Sequence, residues 1–202
     1  RSGRPGPVVV DIPRDVQLAK QTFRGAGRLR LRGYEERLAE LNLASLLPAD
    51  GEAFFRFLAA CERPLIYAGG GVINSNAAAE LRSFAKRFGI PVVTTLLGIG
   101  SMDTTSDLSL QVLGMHGTAF ANYAVEDCDF LFAVGSRFDD RVAGKVKEFA
   151  PHATIAHLDV DASEIGKVKN FDWAHVCDAK RGLLQLLEAG TTFKKDFGKW
   201  CA

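Results

Sequence analysis

The chain has 202 residues, 47% of them hydrophobic, and a formal net charge of +1. Such a length suits one domain with an additional arm, and that apolar share is enough for a packed core. A near-neutral charge with no basic run among aromatics argues against nucleic acid, and no apolar run approaches the length of a membrane span.

The opening residues Arg1-Ser2-Gly3-Arg4-Pro5-Gly6-Pro7 contain neither an initiator Met nor a signal peptide, and the chain is expected to be a piece of a longer polypeptide. They run into an apolar stretch, Val8-Val9-Val10-Asp11-Ile12, which predicts a buried strand followed by a turn at Pro13. Residues 15–48 are irregular, with Arg24, Arg28, Arg30 and Arg32 set among glycines and a weakly amphipathic helix over 34–47. That composition predicts a linker over 21–48.

An alternation of helices and strands follows. Asp50 is placed to cap a helix carrying Phe54, Phe57, Leu58 and Cys61 on one face. A strand over 65–68 ends at Gly69-Gly70-Gly71. Asn76 is placed to cap a second helix, with Leu81, Phe84, Ala85 and Phe88 on its stripe and Gly89 at its end. Residues 91–97 read as a strand, 102–115 as a loop, and 118–126 as a helix. The strand over 130–134 opens into the loop Gly135-Ser136-Arg137-Phe138-Asp139-Asp140-Arg141, and 145–150 reads as helical. Strands over 154–160 and 175–177 and a helix over 180–188, carrying Leu183, Leu184 and Leu187, complete the pattern. Strands that alternate with helices predict an α/β fold, a doubly wound parallel sheet with helices on both faces, over residues 49–190.

In such a sheet a ligand sits beyond the carboxyl ends of the strands. The first end offers Gly69, Gly70 and Gly71, where bare backbone allows close approach and the next helix can aim N–H groups at phosphate. The third glycine of a dinucleotide fingerprint is missing, and a tight turn explains the same residues. The second end offers hydroxyls and an apolar ledge at Thr94, Thr95, Leu96 and Leu97. The glycine-flanked His116, next to the polarizable Met115, suits stacking on a flat ligand, although a backbone-bonded loop histidine fits equally. Arg137 and Arg141 are forked donors suited to pyrophosphate, or partners in a salt-bridged surface turn. Asp159 and Asp178 can accept bonds from ribose or adenine, or cap helices.

A Gly-x-Ser-x-Gly elbow is absent, and His116, His152, His157 and His175 have no metal-ligand spacing with each other or with cysteine. No catalytic residue and no metal ligand is therefore assigned, and His157, inside a strand, is expected to be structural. The four cysteines, Cys61, Cys128, Cys177 and Cys201, form no Cys-x-x-Cys pair. Reduced thiols in a cytoplasmic setting are expected.

Three blocks carry a family resemblance. Residues 3–15 resemble the end of the first domain of thiamine-diphosphate-dependent enzymes. The loop Gly135-Ser136-Arg137-Phe138-Asp139-Asp140-Arg141 with Gly144-Lys145 is similar to the acetohydroxyacid synthase (acetolactate synthase) catalytic subunit, and so is Asp159-Val160-Asp161-Ala162-Ser163-Glu164-Ile165-Gly166-Lys167. The resemblance implies the last strand of the preceding domain over 1–20, a central FAD-binding domain over 49–190 and the start of a further linker over 191–202. It implies FAD contacts at Arg4, Gly69, Gly70, Gly71, Thr95, Leu96, Leu97, Leu113, Gly114, Met115 and His116. It extends them to Gly135, Ser136, Arg137, Asp139, Arg141 and Val142, with Asp159, Val160, Asp178 and Ala179 at the adenosine end.

Three positions depart from the family pattern: Leu97 in place of Met, Arg14 in place of Lys, and Cys177 in place of Gly. Thiamine diphosphate and Mg²⁺ are implied for the whole enzyme, bound by other domains, together with flanking domains, a homo-oligomer and a regulatory subunit. The fragment alone is expected to be inactive. Sister enzymes such as glyoxylate carboligase or pyruvate oxidase, and a purely structural assembly module, are the alternatives.

Overall fold

In the computed structural model of the protein the described residues are 44–201, and, in the N-terminal part, 4, 6–20, 22, 24, 33, 36 and 39; of Asp140 and Arg141 only the backbone is described. Six parallel strands form one sheet: β1 Pro64–Ala68, β2 Val92–Thr94, β3 Ser109–Val112, β4 Phe130–Val134, β5 Thr154–Asp159 and β6 Trp173–Val176. Their order across the sheet is β3-β2-β1-β4-β5-β6.

Strands β1 and β4 are buried along their whole length, which is why they read as unbroken apolar runs. Alternate side chains separate onto the two faces. Ile66, Phe132 and Leu158 join one core, and Leu65, Tyr67, Leu131 and Ile155 join the other. The first face is covered by α2 Pro48–Ala60 through Phe54 and Leu58, by α4 Ala78–Phe88 through Leu81, Phe84 and Phe88, and by α7 Ala179–Ala189 through Leu183 and Leu186. The second is covered by α5 Ala119–Asp127 through Ala121, Ala124 and Val125. The doubly wound α/β expectation therefore holds. Phe54 is the hub of the first core, its ring packed edge-on against Phe84, Phe130, Phe132 and Trp173.

Several local expectations give way to tertiary context. The apolar stretch Val8-Val9-Val10 and Ile12 is exposed and pairs with no strand among the described residues, so it is not buried here. It leads into a short exposed helix, α1 Arg14–Leu18, in place of a simple turn. Asp50 sits in the first turn of α2, whose N-cap is Leu47 with Pro48 as first residue. Asn76 adopts φ 52° in the turn between α3 Gly70–Asn74 and α4, and Ala77 is the N-cap, so Asn76 supplies a left-handed backbone.

The strand expected over 91–97 ends at Thr94, because residues 96–98 close into a 3-10 turn capped by the Thr95 side chain. The 102–115 loop contains the edge strand β3, whose half-buried Ser-Leu-Gln-Val carries little apolar signal. Helix α6 is Asp140–Ala143 and stops at Gly144, φ 51°, so 145–150 forms turns instead of the expected helix. On α7, Leu184 is half exposed and Leu186 takes the buried position. The helix expected over 34–47 and most of the 21–48 linker fall outside the described residues.

The strand order reverses between β1 and β4, so a crevice opens at their carboxyl ends. Here the two strand-ending loops are locked backbone to backbone. The Gly69 N–H donates to the Val134 carbonyl at 2.9 Å, that of Gly71 to the Gly135 carbonyl at 2.9 Å, and that of Gly135 to the Leu158 carbonyl at 2.8 Å. A Cβ at Gly69 would lie 2.2 Å from the Gly135 oxygen, and one at Gly71 2.6 Å from the Gly135 Cα. Gly71→Ala should therefore lower stability by about 1–3 kcal/mol, the usual cost of overpacking. The gain in helix propensity, roughly 1 kcal/mol, offsets only the low end of that cost, and because the obstructing Gly135 atoms are backbone the cost falls toward the high end. A thermal midpoint equal to or above wild type would contradict this account.

Candidate functional site

Because all six strands are parallel, every strand-end residue singled out from the sequence lies at the same edge of the sheet. Gly69 follows β1, Thr95 follows β2, Leu113 follows β3, Gly135 follows β4, Val160 follows β5, and Asp178 lies two residues beyond β6. Arg4 is brought to that edge from far along the chain. Its guanidinium donates to Asp161 at 2.9 Å and Glu164 at 2.6 Å, just beyond β5.

The centre of the edge is the charged loop. Gly135 turns the chain with φ 54°, and residues 136–139 then alternate. Ser136 and Phe138 are buried, Arg137 is exposed and Asp139 is half-buried. Arg137 pairs with Asp139 at 2.9 Å, so the salt-bridged-turn reading is part of the geometry. Half of the Arg137 side chain nevertheless remains open to solvent, leaving its fork available to a further partner. Val142, half-buried, and the Arg141 backbone belong to α6; the Arg141 side chain lies outside the described residues. Beside this loop, on the β5 side, is a pocket of about 270 Å³ lined by Arg137, Phe138, Asp139, Val146, Glu164 and Lys167.

On the other side of the crevice the ledge is apolar and open. Leu96 is 74% exposed, Leu97 75% and Met115 70%, with His116 exposed beside Met115. Large apolar side chains this open, next to a crevice, suit a flat apolar ligand or a covering neighbour. Thr95 uses its hydroxyl oxygen to accept from the Gly98 N–H at 3.0 Å. Leu113 points into the second core. Gly114 is clamped by Asn122, whose amide accepts from the Gly114 N–H at 2.8 Å and donates to its carbonyl at 3.1 Å.

The glycines at the first strand end have a structural reason for being bare. Gly69 and Gly71 face Gly135 and Ser136 backbone, and Gly70 faces Leu97. The Gly71 N–H is already bonded to Gly135, so the start of α3 is directed at a neighbouring carbonyl.

At the far end Asp159 is almost fully buried and accepts from the Asp161 N–H at 2.9 Å, with His157 Nε2 3.9 Å away. Burial pushes its carboxyl above the usual range. Asp178 accepts from the Lys180 and Arg181 N–H groups, so it caps α7. Ala179, buried, is the first residue of that helix, and Val160 is half-buried.

Tyr67, Phe138, Asp161, Glu164 and Lys167 carry or support this edge, although the sequence alone assigns none of them to the site. A usable signal existed for two of them. Asp161-Ala-Ser-Glu164 has a capping-box spacing, and Asp161 does cap a 3-10 turn through Ser163. Burial alone would raise the Glu164 carboxyl, but hydrogen bonds from Arg4 and Lys167 hold it below its ordinary value. Asp161 is held low first by Ser163 and then by Arg4.

Comparison with known proteins gives this edge a family. Residues 52–186, more than half of the chain, match the model described as "Thiamine pyrophosphate enzyme, central domain". The chain belongs to this central-domain family. It is also similar to acetolactate synthase 1, chloroplastic, of Zea mays, with 45% identity over 203 residues that cover 98% of this chain and 31% of the maize protein. Acetolactate synthase 2, chloroplastic, of Nicotiana tabacum is 44% identical over 99% of this chain and 30% of its own length. Acetolactate synthase, chloroplastic, of Arabidopsis thaliana is 44% identical over 98% of this chain and 29% of its own length. The chain thus spans about a third of the relatives it matches. Within the family domain, the described helices include none long and apolar enough to cross a membrane.

Both acids should respond to loss of Arg4. In Arg4→Ala, NMR titration should find both carboxyls moving up, each only in part, because Ser163 still holds Asp161 and Lys167 still holds Glu164. Both folded values are depressed. The tether is therefore complete above the ordinary carboxylate range, and is lost as pH falls through the lowered values. No upward movement of either acid would contradict the assignment.

Proposed function

We propose that this chain is the FAD-holding central domain of an acetolactate synthase catalytic subunit. The observation that carries the reading is one sheet edge that offers an apolar ledge, a solvent-accessible arginine and buried acid in sequence across the β1/β4 crevice. An extended flavin dinucleotide has the same order of chemistry: a flat ring system, a pyrophosphate, and an adenosine. In this reading Leu96, Leu97, Met115 and His116 lie along the ring system. Arg137 faces the pyrophosphate, a forked donor being the natural match for its oxygens, and Arg141 is assigned to the same group by the sequence and its family resemblance alone. Arg4, Asp159, Val160 and Ala179 belong to the adenosine end. Gly69, Gly70, Gly71, Gly135, Ser136 and Gly114 shape the crevice wall through their backbone packing. Asp178 contributes by fixing the start of α7.

In the same reading the flavin is a structural cofactor. Thiamine diphosphate with Mg²⁺, held by flanking domains, supplies the decarboxylation of pyruvate and its condensation with a second 2-keto acid, a reaction of branched-chain amino acid synthesis. This chain binds, orients and excludes water, and by itself is inactive. Two observations support covering neighbours: the exposed Val8-Val9-Val10 and Ile12, and the open ledge. A homo-oligomer with a regulatory subunit belongs to the same proposal. Cys61, Cys128 and Cys177 are buried free thiols whose pKa burial pushes up to about 12. Inert thiols of this kind suit the reducing cytoplasm of the sequence expectation, whereas the relatives' names specify the chloroplast.

The reading is tested on the complete subunit. Arg137→Ala should weaken FAD binding by about 10–100-fold, the scale of a lost hydrogen bond to a charged group, with little change in thermal midpoint. Flavin fluorescence at equilibrium measures the first and calorimetry the second. A lowered midpoint with FAD affinity intact would leave Arg137 as a salt-bridge residue only.

A further inference from the structure

Beneath the charged loop, three buried polar side chains tie Ser136 and Arg137 to the neighbouring strands. Tyr67 Oη donates to the Arg137 carbonyl at 2.8 Å, and His157 Nε2 meets the Ser136 carbonyl at 3.0 Å. Ser136 Oγ donates in turn to the Tyr67 carbonyl at 3.1 Å. Tyr67 comes from β1 and His157 from β5, so the loop leaving β4 is gripped from the strands on both sides. Phe138 completes the grip. Its ring is 5.7 Å from Tyr67, 5.9 Å from Phe149 and 5.5 Å from His157.

The consequence is geometric. Ser136 and Phe138 are anchored inward, so Arg137 between them must project outward, although its own carbonyl is held from below. With that backbone fixed, only the rotamers of Arg137 remain to be ordered when it meets a partner, and Asp139 already restrains those. Packing alone does not account for the Tyr67 hydroxyl. A phenylalanine would fill the same aromatic box, and the hydroxyl adds one thing, the bond to the Arg137 carbonyl.

We infer that Tyr67 and His157 are positioning residues, which hold the Ser136–Arg137 backbone so that the Arg137 guanidinium is presented to an anionic ligand at the β1/β4 crevice. The identity of that anion, a dinucleotide pyrophosphate, rests on the flavin reading above; the anchoring does not.

The experiment is a double-mutant cycle in the complete subunit, with FAD as the probe. Tyr67→Phe keeps the ring and removes the bond. The FAD dissociation constant should rise about 3–10-fold, at most the scale of one net hydrogen bond, and the thermal midpoint of the FAD-free protein should fall by no more than the loss of that one bond. Added to Arg137→Ala, the same change should weaken FAD no further, because it acts through Arg137. Equal losses in both backgrounds, or no loss when Arg137 is present, overturn the inference. If Arg137→Ala alone leaves FAD affinity unchanged, it is the assignment of Arg137 to the flavin pyrophosphate that fails. Amide hydrogen exchange over 136–139 then decides the anchoring. Faster exchange in Tyr67→Phe, with β1 and β4 unchanged, upholds it; an unchanged rate overturns it.

Discussion

The backbone interlock at the ends of β1 and β4 is the constraint on which the rest of this edge depends. Gly69, Gly71 and Gly135 bring two strand-ending loops so close that no side chain fits between them. Their N–H groups are consumed by carbonyls of the adjoining strand and loop. The crevice therefore has a rigid floor at the point where the strand order reverses, which is where an open parallel sheet offers a ligand site. The charged loop, with Arg137 and Asp139, leaves the rim of this floor directly.

Around that floor the edge is graded. The open apolar ledge of Leu96, Leu97 and Met115 occupies one side, Arg137 the centre, and the buried acid Asp159 the other side. The grading comes from what each strand end has next to it. The β2 end closes into a 3-10 turn that pushes two leucines outward. The β4 end is tied down by Tyr67 and His157. The β5 end turns into a short capped segment whose acids hold Arg4. The polar groups at this edge thus divide into those that stabilise the loops and those left facing solvent, and the second group is small. That division explains how a site built largely from ordinary turn residues can still present a specific surface.

Some of this was legible from residues alone. Continuous apolar runs such as 65–68 and 130–134, short and bounded by glycine or proline, suit buried strands of a covered sheet, and their alternation with helices gave the fold class. Gly135-Ser136-Arg137 at the end of such a run pointed to the carboxyl edge of the sheet, where the structure places these residues. Other features depend on neighbours distant in sequence. The edge strand β3 was missed because half of its surface faces solvent and its residues carry little apolar signal. Asn76 has the side chain of a helix cap, but the connection between α3 and α4 needed its tolerance of positive φ. Val8-Val9-Val10 has the composition of a buried strand and is exposed, because burial requires a partner surface that local sequence does not provide.

The amino-acid sequence by itself determined the α/β alternation, the family blocks and the residue types at the strand ends, since periodicity and short motifs are local properties. Tertiary structure alone decided what those residues are for. It assigned Gly69 and Gly71 to backbone packing, Asp178 to a helix cap and Arg4 to a tether across the chain. It also brought forward Tyr67 and His157, which belong to no motif. The reason is physical: a hydrogen bond between a strand side chain and a loop carbonyl some 70 positions away depends on sheet order and register, and neither is encoded in any short stretch of sequence.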